Sequence, residues 1–233
     1  MHKINKIFNC LLNPKYINAY LKLICPLFEL KDVFKKTRYI ENIIDVGSNK
    51  GQFALLARIY YPKCSIYSFE PQNKYIKIQK KIFYKNINFF NFCLGAKNHT
   101  MTLNITEKED SSSLLKPNIL NESIYKIKKK INVKIKTLDS LLSKKKLNNS
   151  IMKIDVQGFE YQVLKGSLKS LSKIKYIILE LSSKNIYQNQ SGKKNILTLL
   201  KKKNFKLVKI YNKKEIAKNI YQYDYFFINK RLN

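Results

Sequence analysis

Residues 41–53 read Glu-Asn-Ile-Ile-Asp-Val-Gly-Ser-Asn-Lys-Gly-Gln-Phe, and the rest of the chain is organised around them. A short apolar run, Ile43, Ile44 and Val46, carries one acid, Asp45, near its end, and Gly47 and Gly51 follow. From Gln52 onward Phe53, Ala54, Leu55, Leu56 and Ala57 read as a helix. A β-branched run, a glycine turn and a helix make the first strand–helix unit of a nucleotide-binding α/β fold. Gly47 permits a sharp turn and lets a ligand lie against bare backbone. The helix start near Lys50 offers unpaired N–H groups to that ligand. The Gly-x-x-x-Gly spacing matches neither the dinucleotide fingerprint nor the phosphate loop. It suits a nucleoside without phosphates.

Working outward, residues 64–69 read as a second strand that ends at Glu70-Pro71. Glu70 stands 19 residues after Gly51, the distance at which an acid can accept hydrogen bonds from both ribose hydroxyls. Asp45 and Glu70, joined across one βαβ unit, favour nucleoside binding over two solvated strand-end charges.

Composition sets the outer limits. At 233 residues the chain suits a single domain with a full-sized core. The net charge of +31 comes almost wholly from lysine, with arginine only at Arg38, Arg58 and Arg231. Lysine lacks the planar fork that reads bases or grips phosphates bidentately, so the charge favours polyanions in general and specifies none. The abundance of Lys, Asn, Ile, Tyr and Phe also fits codon usage in an AT-rich genome. Cys10, Cys25, Cys64 and Cys93 are widely spaced and His2 and His99 add no ligand cluster; free thiols in a reducing cytoplasm follow. No apolar run has the length of a membrane span. Residues 4–12 are apolar-rich but stop at Asn13-Pro14-Lys15, which does not read as a signal peptide. A cytoplasmic protein is expected.

Along the chain, Ile4, Ile7, Phe8 and Leu11, then Ile17, Tyr20, Leu21, Ile24, Leu27 and Phe28, recur at helical spacing, broken by Pro14 and Pro26. Residues 1–40 are therefore expected to form N-terminal helices packing on or capping the core, and 41–233 the α/β domain. Lysines opposite the apolar stripe add the expectation of peripheral contact with the acidic inner face of a membrane. Helices are expected over 50–61 and 71–83 and a third strand over 87–93, closed by Leu94-Gly95. Period-two patterns at 99–105 and 131–137 read as a small antiparallel insertion. Ser111, Ser112 and Ser113 between them read, on chemistry alone, as a linker. A short helix from Leu138, a strand over 151–156, a helix from Gly158 carrying Val163, Leu164 and Leu168, and a strand over 174–180 follow. A helix with Ile196, Leu199 and Leu200 and strands over 205–210 and 223–228 close an α/β three-layer fold.

Ligands in such sheets bind beyond the carboxyl ends of the strands, where Asp45, Glu70, Asp155 and Glu180 all fall. Asp155 has the best claim to chemistry, since it ends an apolar strand and stands close to Gly158. Glu160, one turn into the next helix, and His99 stand behind it as further acid–base candidates.

Four segments together resemble the FkbM family of S-adenosylmethionine-dependent class I methyltransferases: residues 43–53, Phe69-Glu70-Pro71, Thr137-Leu-Asp-Ser-Leu-Leu142, and 153–166, Lys-Ile-Asp-Val-Gln-Gly-Phe-Glu-Tyr-Gln-Val-Leu-Lys-Gly. Residues 111–115 resemble the family's serine-rich segment, which favours an ordered loop there. The resemblance implies a Rossmann-like, mostly parallel seven-stranded sheet with helices on both faces. It implies S-adenosyl-L-methionine held by Asp45, Gly47, Ser48, Asn49, Gly51, Phe53, Glu70, Pro71 and Leu94. It further implies methyl transfer to a hydroxyl, with a sugar of a bacterial surface glycan or glycolipid, or another small molecule, as acceptor. Asp155 is the expected base or its orienter, with Glu160 and His99 behind it. The family's segment usually reads Asp-Val-Glu-Gly, and Gln157 in place of that acid weakens a metal held there, so no obligatory metal is expected. Two alternatives stay open. A nucleic-acid methyltransferase fits the charge but lacks an Asp/Asn-Pro-Pro-aromatic segment and a Pro-Cys dipeptide. A non-catalytic nucleoside-binding protein fits the glycine turn alone.

Overall fold

The computed structural model describes residues 24–83, 85–118 and 126–232. The expected helix before Pro14 and residues 15–23 of the expected helix after it lie outside the described residues, as do residues 119–125 between the two insertion strands.

After a 3-10 turn at Phe28–Leu30 come α1 (Lys31–Lys36), β1 (Asn42–Val46), α2 (Gln52–Tyr60), β2 (Ser65–Phe69), α3 (Asn73–Lys80) and β3 (Ile87–Phe90). Then follow β4 (Cys93–Leu94), β5 (His99–Thr106), β6 (Ile127–Lys136), α4 (Leu138–Leu142), β7 (Ser150–Ile154) and α5 (Glu160–Lys165). The chain closes with β8 (Tyr176–Ser182), α6 (Lys193–Lys202), β9 (Phe205–Ala217) and β10 (Ile220–Asn229). Seven strands form one sheet in the order β3-β2-β1-β7-β8-β10-β9, parallel except for β10, which runs antiparallel to β8 and β9. The strand order reverses between β1 and β7, which places a crevice beyond Val46 and Ile154.

Both faces of the sheet are covered, so its central strands are apolar on both sides rather than alternating with polar residues. Successive side chains still diverge. Ile43, Ile151 and Ile178 join Phe53, Ala54 and Leu56 of α2 in one buried cluster, whereas Ile44, Met152 and Ile177 join Leu164 of α5 and Leu200 of α6 in the other. Ile24, Leu30, Val33 and Phe34 enter the first cluster. The N-terminal segment past Pro26 thus packs against α2 as a 3-10 turn and a short helix, an element that the helical spacing before Pro26 does not mark.

Three local readings change. The expected third strand over 87–93 divides: β3 stops at Phe90, and Cys93-Leu94 turns away to pair in parallel with Ile135-Lys136 of β6. An apolar stretch of that length reads as one strand because nothing in its pattern marks the change of partner. The antiparallel insertion is present as β5 and β6, with β4 as its third strand. Second, Ser111 and Ser113 are buried, and Asn104 exchanges backbone hydrogen bonds with Ser113 at 2.9 and 3.1 Å. The serine segment is an ordered wall rather than a linker. Third, Leu168 lies past the end of α5 and is exposed.

Candidate active site

The turn after β1 is held by its own backbone. The N–H groups of Gly47 and Ser48 donate to the Phe69 carbonyl at 3.0 and 3.1 Å, and that of Asn49 donates to Glu70 Oε2 at 2.9 Å. Gly47 adopts φ +79°, and a Cβ there would stand 1.9 Å from the Asp155 carbonyl oxygen. Only a glycine lets the end of β1 lie this close to the residue following β7. The loop is pinned from below by a side chain that sequence reasoning did not single out, Gln79 of α3. Fully buried, its Nε2 donates to Ser48 Oγ at 2.8 Å and to the Asn49 carbonyl at 2.6 Å. The Ser68 hydroxyl lies 2.7 Å from both Ser48 Oγ and Gln79 Oε1.

Beyond these strand ends a cavity of about 250 Å³ opens. Of the residues singled out from the sequence, Asp45, Gly47, Ser48, Asn49, Phe53, Glu70, Pro71, Leu94 and Asp155 line it. Gly51 does not. It stands in the left-handed conformation at the start of α2 and shapes the turn from behind. Glu160 does not line the cavity either. Its carboxylate is buried and accepts the Gly158 N–H at 2.9 Å, so it fixes the turn after β7 from inside. Burial pushes its pKa up to about 7, against the Gly158 N–H that pulls it down. His99 is exposed at the start of β5, its Nδ1 2.9 Å from the Lys97 carbonyl, and is not part of the cavity wall. Period and spacing could not foresee either outcome, because both depend on which way a turn carries its side chain.

The cavity has two ends. At the first, Glu70 is buried with Oε2 on Asn49 N–H and Oε1 on Gln72 N–H at 2.8 Å, and burial raises its pKa to about 7. Each carboxylate oxygen has a second lone pair, so two hydroxyl donors can still be accepted there. Asp45 is 1 % exposed, and neither of its oxygens has a hydrogen-bond partner within ordinary geometry among the described residues. Burial pushes its pKa to about 7 and Asp155 adds to the rise, only partly countered by Lys153 and by the Ala54 N–H, which faces the carboxylate without reaching hydrogen-bond geometry. An unpartnered buried carboxylate is costly, and one aimed into a cavity marks a place where a ligand brings the missing donors. Gln72 Oε1 and Asn49 Oδ1 are likewise buried and unpartnered on this wall.

At the second end a lysine organises four acids. Lys153 of β7 faces Asp45 of β1 in register, and its ammonium sits 2.7 Å from Asp155 Oδ2. Burial opposes that charge, but Asp155, Asp45, Glu180 and Asp224 together outweigh it and hold the ammonium above its ordinary range. Burial likewise opposes the Asp155 carboxylate, yet Lys153 holds it below the usual carboxylate range. Gln157, in the left-handed region at φ +53°, donates Nε2 to Asp155 Oδ1 and to Glu180 Oε2, both at 2.9 Å. Asp224 of β10 is the cross-strand partner of Glu180 and accepts Asn212 Nδ2 at 2.7 Å; burial raises its pKa to about 6. Lys153, Asp224 and Asn212 were missed from the sequence. The one available signal was Lys153, a charge inside an apolar strand and two residues from Asp155, hence on the same face.

The charge balance of the cavity inverts that of the protein. Glu29, Asp45, Glu70, Asp110, Asp155, Glu180 and Asp224 line it, seven of the chain's 15 acids, against Lys153 and Lys214 from its 46 basic residues. Among the described residues no set of His, Cys, Asp and Glu is arranged to hold a metal ion, and no helix is long and apolar enough to cross a membrane.

Comparison with solved structures finds similar chains at low identity. M. capricolum TrmK in complex with S-adenosyl-homocysteine is 13% identical, with 87% of this chain and 68% of that chain covered and a TM-score of 0.45. The magnesium protoporphyrin IX methyltransferase of Synechocystis PCC 6803, with bound SAM, is 14% identical over 87% and 76%, with a TM-score of 0.47. A TehB-like SAM-dependent methyltransferase from Corynebacterium glutamicum is 8% identical over 87% of both chains, also at 0.47. No curated protein matches the chain. The model of the methyltransferase FkbM domain matches residues 45–207, well over half of the chain, and the protein therefore belongs to the FkbM methyltransferases, with S-adenosylmethionine as its cofactor.

Proposed function

We propose that this protein transfers a methyl group to a hydroxyl of a neutral, polyhydroxylated acceptor, a sugar of a bacterial surface glycan or glycolipid. The observation that carries the reading is the inverted charge of the cavity. Seven acids and two lysines line a crevice in a protein of net charge +31. A crevice lined by one sign of charge focuses its field and disfavours ligands of that sign. A polyphosphate backbone is thus disfavoured inside the cavity, and because burial raises the pKa of Asp45, Glu70, Glu180 and Asp224 the repulsion strengthens as pH rises. Carboxylates and amides such as Asp224, Asn212 and Gln222, with the ring of Tyr223 beside them, suit an acceptor made of hydroxyl groups and apolar ring faces.

The residues present fit the methyl donor. The unpartnered Asp45 suits its cationic end, the bare backbone at Gly47 allows close approach, and Glu70 suits two ribose hydroxyls. When bound, the donor supplies an electrophilic methyl group. The chain's own part is to hold the acceptor oxygen in line, keep water out and receive a proton, and most of the rate comes from that positioning. The exposed lysines Lys128, Lys129 and Lys130 of β6 suit an acceptor displayed on an anionic membrane.

The test is transfer of a tritiated methyl group from S-adenosylmethionine to a panel of methyl glycosides and to an unmodified RNA transcript. Label on a glycoside and none on RNA is the expected outcome. Label on RNA alone overturns the reading in favour of nucleic-acid methylation.

A further inference from the structure

We propose that Glu180 is the group that takes the proton from the acceptor hydroxyl, with Gln157 and Asp155 as the residues that position and tune it. This inference rests on the hydroxyl-transfer reading above.

The Asp155 and Glu180 carboxyls lie against each other, the contact favouring the proton on Glu180, and their other partners differ. Asp155 has both oxygens engaged, Oδ2 by the Lys153 ammonium at 2.7 Å and Oδ1 by the Gln157 amide at 2.9 Å. It is the half-buried member of an ion pair whose lysine is buried. Among the described residues no ammonium forms an ion pair with Glu180, and Lys153 acts on it only through space; its Oε2 accepts the same Gln157 amide at 2.9 Å, and it opens on the cavity from β8. Gln157 is itself tightly placed. Its Oε1 accepts from the Tyr187 hydroxyl at 3.0 Å, and its carbonyl accepts the Ser113 hydroxyl at 2.6 Å. The amide oxygen is taken up on the Tyr187 side, so the amide nitrogen faces the two acids. The unpartnered, almost fully buried Asp45 lines the same cavity, which independently marks this as a place where a ligand sits.

The electrostatics follow the geometry. Asp155 and Lys153 face Glu180 from β7 and the turn after it, Asp224 faces it from β10, and Gln157 supplies a neutral donor. Burial raises the Glu180 pKa first, Asp155 and Asp224 raise it further, and Lys153 pulls it back, leaving it well above the ordinary carboxyl value. Asp155 lies below that value. A general base must hold a proton more tightly than an ordinary carboxylate does, and of the two only Glu180 is shifted in that direction.

As the acceptor oxygen forms its bond to the methyl carbon, the carbon–sulfur bond breaks and its electron pair stays on sulfur. The hydroxyl proton passes to the Glu180 carboxylate and leaves through the cavity mouth before the next turnover.

Two arms test this. Carbon-13 NMR of protein labelled at glutamate Cδ and loaded with S-adenosylmethionine follows each carboxyl through pH, with Glu180→Gln assigning the Glu180 signal by its disappearance. Glu180 is expected to titrate well above the surface glutamates. In Asp155→Asn, which removes a neighbouring negative charge, its titration is expected to move to lower pH. A Glu180 that titrates with the surface glutamates in the loaded protein overturns the proposal. The second arm uses the glycoside methylated in the preceding assay. Glu180→Gln is expected to lower kcat by about 100-fold or more, with affinity for S-adenosylmethionine within twofold of the parent, and to abolish the rising limb of the pH–rate profile. Asp155→Asn is expected to keep that limb at lower pH. A limb that survives in Glu180→Gln, or vanishes in Asp155→Asn, assigns the proton elsewhere and overturns the proposal. A panel with no methylated glycoside overturns the sugar reading alone, while the NMR arm still decides the role of Glu180.

Discussion

The backbone N–H of Asn49 donates to Glu70 Oε2 at 2.9 Å, so the acid that ends β2 is held by the turn that ends β1. The two features that mark a nucleoside site in the sequence are thus one hydrogen-bonded unit, and neither can be altered alone. Glu70→Ala is expected to abolish S-adenosylmethionine binding and to lower stability by about 1–3 kcal/mol, the cost of stranding the Asn49 and Gln72 N–H groups. Glu70→Gln keeps one acceptor oxygen and should recover part of the stability without the affinity. Calorimetric binding and urea unfolding measure the two losses separately. Full affinity in Glu70→Ala would remove Glu70 from the cofactor site.

Asp45 links stability to pH in an uncommon direction. Its folded pKa is about 7 because burial disfavours its charge, while in the unfolded chain it is about 4. Between about pH 4 and 7 the folded state therefore holds more protons than the unfolded state. The stability this group contributes is complete below about pH 4 and is lost as pH rises through about 7. Urea unfolding of the protein without cofactor should show the stability difference between parent and Asp45→Asn changing against the parent by about 2–4 kcal/mol over that window. A difference that stays flat would mean Asp45 is ionised throughout.

Gln79 is a purely structural support with a functional consequence. Its amide holds Ser48 and the Asn49 carbonyl from beneath, with Ser68 completing the contact. Gln79→Leu leaves these buried groups short of partners, and a loss of about 2–4 kcal/mol is expected. Because the Asn49 N–H that orients Glu70 belongs to the same loop, cofactor affinity should fall as well. Measured affinity equal to the parent's would show that the loop keeps its shape without Gln79.

His99→Ala should leave turnover, its pH profile and stability unchanged, within about 0.5 kcal/mol for stability, since the ring is exposed and outside the cavity wall. Glu160→Ala should instead lower stability through the stranded Gly158 N–H, while the rising limb of the pH profile persists. A vanished limb in either variant would return that residue to the chemistry.

The sequence by itself determined the fold class, the cofactor and many of the residues that line the cavity. Gly47, Glu70 and the alternation of apolar strands and helices express short-range rules of turn conformation and side-chain period, which act within a few residues and can be read there. The tertiary structure alone decided what the other charged residues do. Glu160 and His99 carry the right chemistry, yet one turns inward to cap a loop and the other points to solvent. Lys153 became the centre of the acidic end only because β1 and β7 pair with Asp45 opposite it, and Glu180 gained Asp224 only through the register of β8 with β10. Those pairings join residues far apart in the chain, where sequence spacing has no hold. The inverted charge of the cavity, on which the proposed acceptor rests, is their sum.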